Sequence, residues 1–136
     1  MKLVADANVL FSALIRRGLT RRLWFNPALE LCSPRFVVAE SVKHSRELRE
    51  KYAGSEEEYS RLFGLLLRQV RLVSDDDLKP YLPAAASLSD DASDWLYLAC
   101  ALAEDAALWS NDKGFKKQGR VRVFSTTELA EAVGRL

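Results

Sequence analysis

Short apolar runs alternate with helical patterns along this chain, and that alternation constrains its fold more than any other feature. Lys2 to Ala5, Leu29 to Cys32, Val70 to Val73, Ala107 to Ser110 and Val121 to Phe124 are too short for helices and too apolar for surface loops. Each reads as a buried strand, and helical segments separate most of them. Strands joined by helical crossovers pair in parallel, and a parallel sheet must be covered on both faces. The expected fold class is therefore α/β, a three-layer α/β/α sandwich around a short parallel β-sheet.

Local signals place the helices. An apolar helical pattern runs from Val9 to Ile15 and breaks at Gly18; Thr20 to Phe25 reads as a second, shorter helix. Ser33-Pro34 reads as an N-cap followed by proline at the first helical position, opening one helix that runs to about Tyr52. Gly54 ends it, and Ser55 with Glu58 forms a capping box for a helix reaching about Gln69. The acids Asp75 to Asp77 lead toward a helix over Leu82 to Ser87. Asp91 to Glu104 is the clearest helix, and Ser125 with Glu128 caps the last one.

Residues 1–136 suit one domain, since two halves would each bury too little surface. Charged residues make up 29% and apolar residues 49%, the balance of a globular rather than a disordered chain. No apolar run is long enough to span a bilayer, and Asp6 and Asn8 interrupt what would be a leader's apolar region. A cytoplasmic protein is expected. Cys32 and Cys100 lack zinc-type spacing and read as small buried residues, while a lone histidine, His44, excludes a histidine-rich metal site. With a net charge of +1, nucleic-acid binding would require a local basic patch.

The acids carry the functional signal. Ligands of open parallel sheets bind beyond the carboxyl ends of the strands. Asp6 directly follows the first strand, and Asp112 follows a later one through Ser110 and Asn111. Either could simply cap the next helix. Asp94 sits in the first turn of a helix that is apolar nearly all round, where it could point at the strand edge or complete a capping pair with Asp91. Glu40 borders the buried face of its helix behind Phe36 and Val37. Glu40 and His44 are four residues apart, a spacing that could chelate a metal but equally suits a solvated helical pair. Converging carboxylates suit hard cations such as Mg²⁺ or Mn²⁺, which activate water toward a phosphodiester without a serine, cysteine or histidine nucleophile.

Asp6, Glu40, Asp94 and Asp112, in this order, resemble the acidic quartet of PIN-domain nucleases. Val4-Ala5-Asp6-Ala7-Asn8-Val9-Leu10 is similar to that family's first motif, Asp94 with the alanine-rich helix after it to the third, and Trp109 through Phe115 to the fourth. The resemblance covers essentially the whole chain. It implies a Mg²⁺- or Mn²⁺-dependent endoribonuclease whose catalytic and metal-ligating residues are Asp6, Glu40, Asp94 and Asp112. Many small relatives are VapC-type toxins of toxin–antitoxin pairs, which implies an antitoxin partner and a homodimer. One departure is Gly114, where many relatives carry a further acid, and a second metal would then bind weakly. Asp90 or Asp91 could also supply the carboxylate assigned to Asp94.

Asn8, Ser110 and Asn111 could orient a metal's water or a phosphate oxygen by hydrogen bonding. Single-stranded or structured RNA would need cations near the acids. Lys113, Lys116, Lys117 and Arg120 follow Asp112 directly and are the better candidates; Arg16, Arg17, Arg21 and Arg22 form a second cluster. A haloacid-dehalogenase-type phosphatase would want an acid at Asn8, and a receiver domain would want paired acids after the first strand. The closer alternative keeps the fold without the catalysis, as a module binding RNA or a partner protein.

Overall fold

The computed structural model describes residues 1–135. Five parallel strands form one sheet in the order β3-β2-β1-β4-β5: β1 (Lys2–Ala5), β2 (Glu30–Pro34), β3 (Val70–Val73), β4 (Ala107–Trp109) and β5 (Val123–Phe124). The order runs 3-2-1 and then jumps to 4-5, so the chain reverses its winding between β1 and β4. Such a reversal opens a crevice at the carboxyl edge.

Helices cover both faces, as the alternation of strands and helical patterns requires. α1 (Ala7–Ile15) packs on α2 (Leu19–Trp24) and α5 (Glu56–Arg68), and α2 meets α9 (Thr126–Gly134). On the other side α8 (Trp95–Glu104) crosses β1, β2 and β4 and packs on α6 (Asp75–Leu78) and α7 (Leu82–Leu88). This is the expected three-layer α/β/α sandwich. Leu3, Val4, Ala5, Leu98 and Leu108 are wholly buried at its centre. Two buried indoles, Trp24 and Trp109, lie 5.8 Å apart. Each finds a partner for its N–H, Trp24 at the Leu66 carbonyl (2.9 Å) and Trp109 at Thr126 Oγ1 (3.1 Å), as buried tryptophans generally must.

Some boundaries differ from the sequence expectation. Ser33 and Pro34 do not open a helix: they finish β2, which begins at Glu30 rather than Leu29. The Ser33 hydroxyl donates to the Ala5 carbonyl across the sheet (2.9 Å), so it is not available to cap. Pro34 closes the strand opposite Val73, and the next N–H, that of Arg35, bonds the Val73 carbonyl in its place. The helix expected to reach Tyr52 is two helices, α3 (Phe36–Lys43) and α4 (Ser45–Lys51), hinged at His44. The bend lets Leu48 reach the core and brings His44 edge-on to Phe11 of α1, at 5.6 Å between ring centroids. The triplet Asp75 to Asp77, expected to lie outside a helix, forms α6, capped by Ser74. The helix expected from Asp91 starts as a 3₁₀ turn over Ala92–Asp94 before α8. It stops at Asp105, whose φ of 48° is a left-handed conformation that aspartate tolerates better than most residues. The last strand is also shorter than expected, Val123–Phe124 alone.

Candidate functional site

Four elements deliver one acid each to the crevice. Asp6 directly follows β1, Glu40 lies on α3, Asp94 precedes α8, and Asp112 follows β4. Because α8 leads back into β4, its N-terminus lies at the carboxyl edge of the sheet, beside the strand ends. All four acids line a single cavity of about 100 Å³, with Ala7, Asn8, Ser93, Tyr97 and Phe115 completing its wall.

Asp6 is the deepest, only 4% exposed. One oxygen accepts the Val9 N–H (2.9 Å), so it does cap α1, as the simpler reading of the sequence allows. The other accepts the Ser110 hydroxyl. Burial pushes its carboxyl up from 3.8 to about 6; the two hydrogen bonds oppose that rise, and the charges of Asp112 and Glu40 add to it. Ser110, itself 1% exposed, also accepts the Asp112 N–H (3.0 Å). One hydroxyl therefore fastens the β1 acid to the loop that carries the β4 acid.

Asp112 turns one oxygen back on the Gly114 N–H (2.8 Å). A methyl group at position 114 would stand 3.1 Å from that oxygen, so the glycine gives Asp112 its room. Asp94 is half-buried and accepts the Ser89 hydroxyl (2.9 Å) rather than closing a capping box with Asp91. Desolvation raises its carboxyl above the ordinary range, aided by Asp91 and Asp112. Asp91 is the residue that caps, accepting the Ser93 N–H (3.0 Å) and hydroxyl (2.7 Å). Asp90 and Asp91 line a neighbouring groove, not the acidic cavity.

Glu40 accepts the phenol of Tyr97 at 2.7 Å. Tyr97 is 4% exposed, and its hydroxyl is held strongly in the protonated, donating form by burial and by the Glu40 carboxylate. Sequence reasoning missed it. The available signal was a lone phenol one helical turn after Asp94 in an otherwise apolar helix. His44 faces Glu47 (3.8 Å between Nδ1 and the carboxylate), and with Glu40 it lines the groove beside α1.

Other candidates separate in space. Asn8 lines the cavity; Asn111 does not, because its amide is held by Thr126 through two bonds of 3.0 and 2.8 Å. Lys117 lines the adjoining groove with Asp94 and Asp112. Lys116 pairs with Glu128 on α9, and Lys113 is exposed. Arg120 lines a groove with Ala106 and Ala107, at the amino end of β4 and hence the far edge of the sheet. In the second basic cluster Arg21 caps the end of α1 through the Ala13 and Leu14 carbonyls (2.7 and 3.0 Å).

The donor set suits a hard divalent cation. Among the described residues no lysine or arginine forms an ion pair with Asp6, Glu40, Asp94 or Asp112. Nor do three His, Cys, Asp or Glu side chains there converge closely enough to wrap an ion unaided. Mg²⁺ retains several waters and takes few carboxylates, so it fits a looser set of oxygens such as this one.

Sheet order and crevice together define an α/β sandwich with an acid-lined pocket at its topological switch point. A PIN-domain family model matches residues 4–132, and the chain belongs to the PIN-domain family, whose members are generally nucleases. Solved structures share the fold at low identity. VapBC2 from Rickettsia felis, bound to a DNA fragment from its promoter, matches with a TM-score of 0.68 and 17% identity over 92% of this chain and 98% of that one. VapBC-1 from nontypeable Haemophilus influenzae matches at 0.67 and 17% over 93% and 99%. PAE2754 from Pyrobaculum aerophilum matches at 0.67 and 12% over 100% and 91%. No curated protein sequence matches the chain. Among the described residues no helix is long and apolar enough to cross a membrane.

Proposed function

We propose that this protein is a Mg²⁺- or Mn²⁺-dependent endoribonuclease that hydrolyses phosphodiester bonds of RNA at the crevice formed by Asp6, Glu40, Asp94 and Asp112. The observation that carries the reading is the gathering of four carboxylates, from four separate elements, in one cavity, with no cationic side chain among the described residues paired to any of them. A divalent cation bound there lowers the pKa of a water and stabilises the charge that develops on the phosphate. The chain's own part is to hold the acids still. Ser110 donates to Asp6 and anchors the Asp112 loop; Tyr97 donates to Glu40; Ser89 donates to Asp94. Lys117, beside Asp94 and Asp112, is placed to meet a phosphate oxygen.

A toxin role is supported by two of the matching structures, which are VapBC proteins. We infer an antitoxin as the protein partner, a homodimeric state and a cytoplasmic setting. The test is cleavage of an end-labelled single-stranded RNA with Mn²⁺, Mg²⁺ or EDTA, comparing wild type with Asp6→Asn and Asp94→Asn. Metal-dependent cutting that both variants lose is expected. Cutting that survives both substitutions assigns it to a contaminant, and no cutting with any metal favours a non-catalytic RNA- or protein-binding module, the reading that the missing acid at Gly114 suggests.

A further inference from the structure

The acidic cavity does not stand alone. On one side it shares Asp94 and Asp112 with a groove of about 450 Å³, whose wall carries Asp90, Asp91 and Lys117. On the other it shares Asn8 and Glu40 with a groove of about 410 Å³ between α1 and α4. Three adjoining hollows thus lie in a row with the acids at the middle, an arrangement suited to an extended strand rather than to a compact small molecule.

The two arms differ in chemistry. Four aspartates face the first arm against one lysine, which is poor ground for a phosphate backbone unless cations intervene. The second arm is floored by Phe11 and His44, both partly exposed and packed edge-on at 5.6 Å and 63°. Arg16 and Lys51 line it as well. Lys51 is engaged by Glu47 at 2.9 Å, whereas Arg16 is exposed, with no ion pair among the described residues. Aromatic rings with a neighbouring free guanidinium are what single-stranded nucleic acid uses: the base lies on the rings and the phosphate meets the arginine. The volume also lies in the range of pockets that take ligands of about nucleotide size.

We propose that the α1/α4 groove is a nucleotide subsite of the RNA strand, with a base against Phe11 and His44 and its phosphate on Arg16, flanking the phosphodiester held at the acids. It rests on the ribonuclease reading above. It also moves the main RNA contact from the lysines after Asp112 to α1 and α4.

Cleavage kinetics with Mn²⁺ on a labelled decanucleotide and on a dinucleotide test it, using wild type, Arg16→Ala, His44→Ala and, as a control on α5, Arg68→Ala. Arg16→Ala and His44→Ala should each raise KM on the decanucleotide by about five- to tenfold, with kcat within about twofold. Arg68→Ala should match wild type. On the dinucleotide, which carries no phosphate beyond the scissile one to meet Arg16, Arg16→Ala should match wild type. Arg16 is on the surface, so its variant keeps the test sound if His44→Ala loosens the α3–α4 hinge. Wild-type KM on the decanucleotide in both groove variants, with normal cutting, overturns the subsite alone and leaves the groove to a protein segment. A wild-type protein that cuts neither substrate with any metal overturns the ribonuclease reading and the subsite together.

Discussion

Asp6 sits where folding works against its own charge. Its carboxyl rises from 3.8 to about 6 on burial, so the folded chain binds that proton more tightly than the unfolded one. An acid shifted this way stabilises the fold least when ionised: without metal, stability should fall as pH climbs from about 4 through 6 and level off above. Asparagine at this position keeps the cap to Val9, since asparagine caps as well as aspartate does, and it removes the buried charge. Asp6→Asn should therefore raise the stability of the metal-free protein at pH 7.5 by roughly 1–2 kcal/mol, about half the free-energy equivalent of the shift, and flatten the acid side of the profile. Urea melts in EDTA at pH 5 and pH 7.5 would show it; a loss of stability would mean that the Ser110 bond outweighs desolvation. Tyr97 makes a second case at this scale. Removing its hydroxyl in Tyr97→Phe leaves the ring in place and frees Glu40 to swing. The Mn²⁺ concentration giving half-maximal cleavage should rise about tenfold while kcat at saturating metal stays within about twofold. A fall in kcat with unchanged metal dependence would instead put the phenol on the substrate.

Elements place these residues, and the loop after β4 shows how. Thr126, the first residue of α9, accepts the Trp109 indole (3.1 Å) and the Asn111 amide (3.0 Å) and donates its own N–H back to Asn111 (2.8 Å). The start of a helix on one face of the sheet thereby fixes the segment that presents Ser110 and Asp112 at the crevice. Thr126→Val keeps the shape but leaves a buried indole N–H without its acceptor. It should cost about 1–3 kcal/mol in thermal melts and lower cleavage about threefold or more, with the metal dependence weakened; an unchanged rate would show the loop to be held by Ser110 alone. Such ties were not readable in the sequence, because the partners lie 15 or more residues apart and only the fold brings them together. What was readable was local. The Ser55–Glu58 and Ser125–Glu128 capping boxes form as the spacing requires, and the apolar runs of β1 and β3 end where the polar residues begin. Ser33-Pro34 misled because serine before proline suits a helix start and a strand end equally well, and the choice is made by the Ala5 and Val73 carbonyls. Of the acids, Asp6 and Asp112 stood out by following strands. Asp94 could not be told from a cap until Asp91 was seen to fill that role, and Tyr97 was hidden in an apolar helix.

At the scale of the whole molecule, the winding reversal between β1 and β4 gathers charge that the rest of the chain does not balance locally. Net charge is +1, yet several of its cations are paired away from the crevice: Lys116 on Glu128, Arg49 on Glu56, Lys51 on Glu47, Arg71 on Glu104. The crevice keeps its repulsion, and a ligand that relieves it must stabilise the native state by mass action. Mn²⁺ at a hundred times its dissociation constant is worth about 2.7 kcal/mol, a rise in Tm of roughly 5–10 °C for a chain of this size. The source of such a rise needs separating, because Asp75, Asp76 and Asp77 on α6 form a second acidic cluster that could also attract cations. Asp94→Asn and Asp112→Asn should each cut the Mn²⁺-induced rise by more than half. Asp6→Asn should abolish it even though the same variant melts higher than wild type in EDTA, so that the order of the two proteins reverses on adding metal. Asp76→Asn should leave the rise intact. A full rise in all three crevice variants would locate the ions on α6 and leave the crevice without the cation that its chemistry requires.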